Sequence, residues 1–398
     1  MTAKNLSSTT LQKEATYMGA GTGDVYVVAL QETLDTSSLV HDLYPDTIQR
    51  SSVWDAGSSP SVGLAKGELT LALDLSGLGA NVVGVIVDDA DGALIAAAIG
   101  TASGGTGTTI NDVTPAVDGF TVTAAAGLAE AEMILIETTA GYKVAMIEDI
   151  ATLDLTITPA LEAAPANGAD VHAGVTYTPS ETRTTWILEH HKDNVGTAHK
   201  CTGVGLTPEI SNIGAAEGKA KLSLKASIGN WENIVSTLPA ATAPDTFVNP
   251  GVVQSRGRFV LTDGTAVVTC IASTFSVTNL LTEMRRADAC KLNTVGEPEI
   301  MPSQDRVIST ELWQASGATA DPLDQLRTWF SAGTMLECLY QVGNLPGDTL
   351  ALFFPAVYLN VEPKEVDKNG LMAIKTDLKV SYDGSSAVFT KPFYFARF

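Results

Sequence analysis

The residues best suited to chemistry crowd into one stretch: Glu189, His190, His191, Asp193, His199 and Cys201. Imidazole, thiolate and carboxylate are the donors a zinc ion takes. Their spacing argues against a shared ion. His190 and His191 are neighbours on a predicted strand and so point to opposite faces, and neither HExxH nor HxH is present. The reading is a solvated strand end and loop. Two glycine runs, Gly19-Ala20-Gly21-Thr22-Gly23 and Gly104-Gly105-Thr106-Gly107, lack the lysine of a phosphate loop and read as hinges. Asp88, Asp89 and Asp91 have the charge of a calcium loop but not its terminal glutamate, and read as a charged turn. No GxSxG nucleophile elbow occurs. The sequence therefore assigns no catalytic, cofactor-binding or metal-ligating residue, implies no cofactor, and predicts a protein that is not an enzyme.

Composition bounds the elements that hold these residues. The chain has 398 residues, 45% hydrophobic and only 17% charged, which is enough core for two or three domains and excludes wholesale disorder. With 35 Gly and 17 Pro it leans to strands and turns. Lys plus Arg total 24 against 45 Asp plus Glu, a net charge of −21, so a phosphate-neutralising grip on nucleic acid is excluded for the chain as a whole. The longest apolar runs, Val82 to Val87 and Ala93 to Ile99, are far below the roughly 20 residues of a membrane span, so no membrane insertion is expected. Cys201, Cys270, Cys290 and Cys338 form neither a disulfide framework nor a CxxC pattern; Cys270 and Cys338 read as reduced core residues. With no apolar signal segment after Met1, synthesis in a reducing cytoplasm is expected.

Along the chain, the first twenty residues read as an arm and Asp24 to Leu30 as the first strand. Gln31 to Lys66 is a long polar loop holding Trp54. Gly67 to Leu75 alternates Leu69, Leu71, Leu73 and Leu75 on one face, a half-buried strand. Asp91 to Ile99 reads as a helix closed by Gly100. Thr101 to Ala173 reads as an inserted module of short strands spaced as in a small β-barrel or sandwich. Strands follow at Thr184 to Lys192, Lys200 to Ile210 and Lys219 to Ile228. Ser236 to Gln254 reads as a linker. Arg258 to Leu261 and Ala266 to Ile271 flank the turn dipeptide Asp263-Gly264, and a second long polar connection spans Arg285 to Asp305. Asp321 caps the clearest helix, with Pro322 at its first position, a face of Leu323, Leu326 and Phe330 with Trp329 beside it, and Gly333 at its end. Three strands and a docked aromatic segment, Phe389 to Phe398, complete the chain.

The two ends share this order: strand, long loop, strand, short helix ending in glycine, three strands. Thr184 to Glu189 corresponds to Thr334 to Leu339, and Gly203 to Glu209 to Ala356 to Glu362, an offset of 153 (356 − 203). Leu224-Lys225-Ala226 corresponds to Leu378-Lys379-Val380 at an offset of 154 (378 − 224). The fold class predicted is mainly β. Residues 1–100 with 174–235 form the first sandwich half and 255–398 the second, each with a short flanking helix. Residues 101–173 form the inserted module, and 236–254 the linker.

Three stretches, DGALIAAAIGTASGG continued as GVTYTPSETRTTWILEHH after the insertion, HKCTGVGLTPEISNIGAAEGKAKLSLKASIGNWENI, and FFPAVYLNVEPKEVDKNGLMAIKTDLKVSYDG, resemble the tail tube (major tail) proteins of long-tailed, siphovirus-type bacteriophages. The resemblance implies a virion protein, made in the host cytoplasm, whose rings of β-sandwiches stack into a channel passing double-stranded DNA without sequence-specific binding. It implies tape measure, tail terminator and tail tip proteins as partners. Duplication favours three chains per pseudo-sixfold ring, with six as the alternative. An all-β adhesion protein that recognises glycan or protein through the inserted module, and a metal-dependent hydrolase built on the histidine cluster, are the competing readings. The tube reading carries three expectations: an acidic lumen wall, loops Gln31 to Lys66 and Arg285 to Asp305 with the N-terminal arm meeting the next ring, and an outward-projecting module whose excision preserves assembly.

Overall fold

Leucines at alternate positions of one segment must share a face, and that face needs a partner sheet. The computed structural model provides it. Described are residues 8–398 except 29–34, 45–60, 76, 79–89, 181–183, 192–195, 212–220, 236–256, 279–280, 286–297, 302–305, 315–320, 369–370 and 383–385. The protein is mainly β with two short helices. Trp54, Asp88, Asp89, Asp193, Cys290 and the linker 236–254 lie outside the described residues.

In the first half, β1 (Ser8–Glu14) and β2 (Gly21–Val28) form a hairpin, β3 (Val40–Tyr44) and β4 (Ser61–Lys66) a second one, and β5 (Glu68–Asp74) precedes α1 (Ala90–Ile99). Then come β6 (Gly100–Gly104), β7 (Thr108–Thr109), β8 (Gly119–Thr121), β9 (Met133–Thr138), β10 (Gly141–Ala151), β11 (Asp154–Thr158) and β12 (Asp170–Ala173). The first half resumes with β13 (Val175–Pro179), β14 (Trp186–His191), β15 (Thr197–Ser211), β16 (Lys221–Ser227) and β17 (Asn230–Val235). The second half comprises β18 (Gly257–Thr262), β19 (Val267–Thr278), β20 (Thr282–Arg285), β21 (Pro298–Met301), β22 (Val307–Gln314), α2 (Pro322–Ala332), β23 (Leu336–Val342), β24 (Leu350–Leu359), β25 (Lys364–Lys368), β26 (Leu371–Val380) and β27 (Tyr394–Arg397).

Pairing in the second half runs in a circle: β18–β19–β22–β26–β24–β23 and back to β18, all antiparallel. The sandwich-type half expected from sequence therefore closes as a barrel. The first half repeats the order as β2–β1–β14–β15–β16–β5, but among the described residues β2 and β5 are not paired, so this sheet stays open. The likeness extends to irregularities. A register shift falls between Trp186 and Leu188 in one half and between Leu336 and Cys338 in the other. One correspondence needs correction. Leu206 faces Ala226, and Leu359 faces Leu378, so Ala226 rather than Leu224 matches Leu378. A slip of two residues keeps every side chain on its own face, which is why periodicity alone did not expose it.

Residues 8–20, read from sequence as part of an arm, are built into the sheet. β1 lies between β2 and β14 with Leu11 fully buried, and the Gly19 to Gly23 run belongs to its hairpin turn. Glu14 explains the anchoring: its buried carboxylate accepts the backbone N–H groups of Met18 (2.9 Å) and Gly203 (2.8 Å) and the Thr185 hydroxyl.

α2 follows its sequence signals. Asp321 accepts the Leu323 N–H (2.9 Å), Pro322 takes the first turn, and Gly333 ends the helix at φ 62°, where other residues are strained. Its buried face is Pro322, Leu323, Leu326 and Trp329; Phe330 is only partly covered, because Trp329 is tied across to Asp263 by its indole N–H (2.8 Å). Asp321→Ala is expected to lower stability by about 1 kcal/mol, read from the shift of a urea unfolding midpoint at unchanged slope.

Residues of the insertion form their own six-stranded sheet, β7–β12–β9–β10–β11–β8, and a bridge from Ile110 to Val122 closes it into a barrel. Ile134, Ile136, Ala145, Ile147, Leu155 and Ile157 fill it with Phe120 and Val171. Outside this barrel, β6 and β13 pair with each other, and β13 also pairs with β27.

Candidate functional site

Two places gather more than packing: the seam where the inserted barrel sits on the second half, and the joint between the two halves. The seam begins with a property of β9 and β10. Met133 to Ile136 and Val144 to Met146 are buried without alternation. Even a strand that shows one face to the barrel core keeps its other face covered. Met133, Leu135, Val144 and Met146 turn outward and pack on Val260, Leu339, Phe353, Phe389, Tyr394 and Phe398. Continuous apolar runs of this kind mark strands buried on both faces. That was the signal in MILIE and VAMI that a freely projecting module would not carry.

Polar groups at the seam are paired across it. The Gln341 side chain accepts the Val144 N–H (2.9 Å) and donates to the Tyr142 carbonyl (3.0 Å). Arg258 donates from Nη1 to the Val144 carbonyl (3.1 Å) and from Nε to Glu162 (2.6 Å). Burial alone would raise the Glu162 carboxyl, but Arg258 outweighs it and holds the group below the usual carboxylate range. At the base of the insertion, a Cβ on Gly105 would stand 1.7 Å from the Gly127 carbonyl oxygen, so two backbone segments cross there in contact. The Gly104 to Gly107 run is thus a packed crossing rather than a hinge.

A cleft of about 380 Å³ opens beside this seam, lined by Glu148 of β10, Glu337 and Met335 of the second half, the Thr262-Asp263-Gly264 turn and Pro355, with Ser386 to Phe389 opposite. Burial pushes the Glu337 carboxyl up to about 6, and the Glu148 charge adds to the rise. Thr158 of the barrel donates its hydroxyl hydrogen to Glu337. Asp263 is engaged elsewhere: it accepts from the amides of Ala266 (2.7 Å) and Thr265 (2.9 Å) as well as from Trp329, and these bonds hold its carboxyl low.

The histidine cluster is built into the sheet. His190 and His191 are both buried on opposite faces of β14. His190 Nδ1 lies 2.9 Å from the Thr9 hydroxyl, and His191 Nε2 lies 3.5 Å from Glu189. His199 faces His190 in the ladder and meets the Trp231 ring edge-on. The solvated strand end expected for them is therefore a covered one, because β1 and β15 flank β14. Among the described residues, no three His, Cys, Asp or Glu groups stand together as a metal site. Cys201, Cys270 and Cys338 are buried thiols, the first two pushed up to about 12 by burial.

The second place is a backbone joint. β15 bends from one sheet to another: Thr197 to Thr202 pair with β17, whereas Gly205 to Ser211 pair with β16. At Ile210 its free edge meets Val277 of β19. One antiparallel sheet, β5–β16–β15–β19–β22–β26–β24, thereby crosses from the first half into the second. Its outward face carries Glu68, Thr70 and Lys225 from one half and Glu311, Lys375, Asp377 and Lys379 from the other. The acid excess lies elsewhere: between Thr101 and Ala173, Lys143 is the only Lys or Arg, amid Asp112, Asp118, Glu130, Glu148 and Asp149. The hairpins β3–β4 and β20–β21 occupy matching places, each between the second and third strands of its half, and their tips lie outside the described residues. No helix among the described residues is long and apolar enough to cross a membrane. No protein-family model matches the chain, and no curated protein matches it.

Proposed function

We propose that the chain is a structural subunit of the tail tube type, not an enzyme, which joins further copies edge to edge into rings that stack around a passage for double-stranded DNA in a virion. The observation that carries this reading is the joint at Ile210 and Val277. Two repeats of one topology already meet there through strand edges, and a rotation that relates them, applied again, presents the same kind of edge to another copy. Repeated head-to-tail contacts of this kind close into rings when the rotation divides a full turn. They also cover strand edges that would otherwise invite aggregation. The favoured ring has three chains, hence six repeats.

In such a ring the sheet that spans the joint faces the passage. Lys225, Lys375 and Lys379 alternate there with Glu68, Glu311 and Asp377, so the wall is of mixed sign rather than the acidic lining expected from net charge. Mixed sign still denies the duplex the counterion-release gain of a basic groove. The β3–β4 and β20–β21 hairpins are the elements suited to touch the next ring.

The test is negative-stain microscopy with mass measurement of the purified chain at rising concentration. Rings or tubes with three copies per turn are expected. Six copies per ring would replace the trimer, and a monomer at millimolar concentration that binds glycan would favour the adhesion reading.

A further inference from the structure

The cleft beside the module seam holds a carboxyl pair, and no Lys or Arg lines it among the described residues. Glu337 stands on β23 and Glu148 on β10, so one belongs to the second half and the other to the inserted barrel. The Thr158 hydroxyl donates to Glu337 from β11 across the seam; this bond favours the ionised carboxyl, and burial outweighs it. Among the described residues, the other elements against Glu337 bring no compensating charge. β18 places Thr262 opposite it, β24 contributes Pro355, and the segment Ser386 to Phe389 has no charged side chain. Asp263, the remaining charged group of the cleft, is occupied by Trp329 and two backbone amides.

We propose that this seam is an acid-tightened latch, in which protonated Glu337 keeps the inserted barrel seated and ionised Glu337, facing Glu148 across the joint, makes it open more often. Like charges held in a partly desolvated cleft repel more strongly than they do in water. The partly buried carboxyl is pushed up to about 6 when seated, against an ordinary 4.5, so the seated form binds the proton more tightly than a form in which the cleft is open to water. Seating is therefore fully supported below about pH 4.5, weakens as pH rises through 6, and is constant above. An open form in which the carboxyl recovered its ordinary value entirely would gain about 30-fold in population, the upper limit of the effect. The Arg258–Glu162 pair spans the same seam, but Arg258 holds the Glu162 carboxyl below the usual carboxylate range, so its titration lies on the acid side of the Glu337 step. This inference is independent of the tube reading.

Amide hydrogen exchange on the full chain between pH 5 and pH 8, normalised to intrinsic rates, tests it. The reporters are the Val144 and Met133 amides, which bond to Gln341 and Thr176 at the seam. Over this window their protection is expected to fall by about 8-fold in the wild type and to stay level in Glu337→Gln. His172, whose imidazole is held below its ordinary value by burial against the opposing pull of Asp170 and Glu137, is the other titratable group of the barrel near the seam and is retained in that variant. Flat wild-type protection, or an equal pH dependence in Glu337→Gln, overturns the latch. Should Glu337→Gln fail to fold, Glu148→Gln decides: a smaller fall supports the latch, and an unchanged fall overturns it.

Discussion

A chain lacking residues 105–173 is expected to lose its folded state, although the sequence alone made the insertion look like a removable decoration. Excision uncovers Val260, Leu339, Ala351, Phe353, Phe389, Tyr394, Ala396 and Phe398 on the second half. Full exposure of a large apolar side chain costs about 1.5–3 kcal/mol, so even partial exposure of this set amounts to roughly 10 kcal/mol. Whole domains are stable by about 5–15 kcal/mol. Arg258 and Gln341 would at the same time lose their partners on β10. Insoluble product, or no cooperative transition on heating, is the expected result. A soluble excised chain that melts within a few degrees of the parent would place the seam among dispensable contacts.

Phe353→Ala is the point substitution with the largest expected cost. Phe353 is fully buried on β24 at the centre of the seam, edge-on to Phe389 (5.3 Å between ring centroids) and tilted against Tyr394 (6.2 Å). Truncating a buried Phe removes transfer energy and leaves a cavity, together about 3–5 kcal/mol. Rigid β-ladders on both sides limit collapse into the space, since Phe353 pairs with Leu339 and with Tyr394. Chemical unfolding should show that loss at unchanged slope. A cost below about 1 kcal/mol would mean that the barrel and the second half are not packed together as described.

Both results turn on a surface that sequence reading half displayed. The strands of the insertion were legible as strands, because Met133 to Ile136 is a short apolar run and Asp154 to Thr158 alternates apolar with polar residues, each between turns. The run MILI, apolar on both faces, is the local sign of a strand covered on both. The N-terminal strand was missed for the opposite reason. STTLQKE has one buried aliphatic residue, Leu11, and what holds it is the pairing with β14 and β2 and the satisfied carboxylate of Glu14. None of that is local in sequence.

By itself, the sequence determined the features whose causes lie within a few residues. Alternating leucines made β5 and β16 half-buried strands, the Asp321-Pro322 start and the Gly333 stop bounded α2, and the Asp263-Gly264 turn made β18–β19 a hairpin. It also carried the order of elements that repeats in the two halves. Only the tertiary structure decided that the second half closes while the described part of the first stays open, that Ile210 meets Val277, and that the module is seated on the second half. The physical reason is range. Backbone geometry sets side-chain period residue by residue, whereas closure and docking depend on partners such as Val144 and Gln341, 197 residues apart, whose meeting no local pattern encodes.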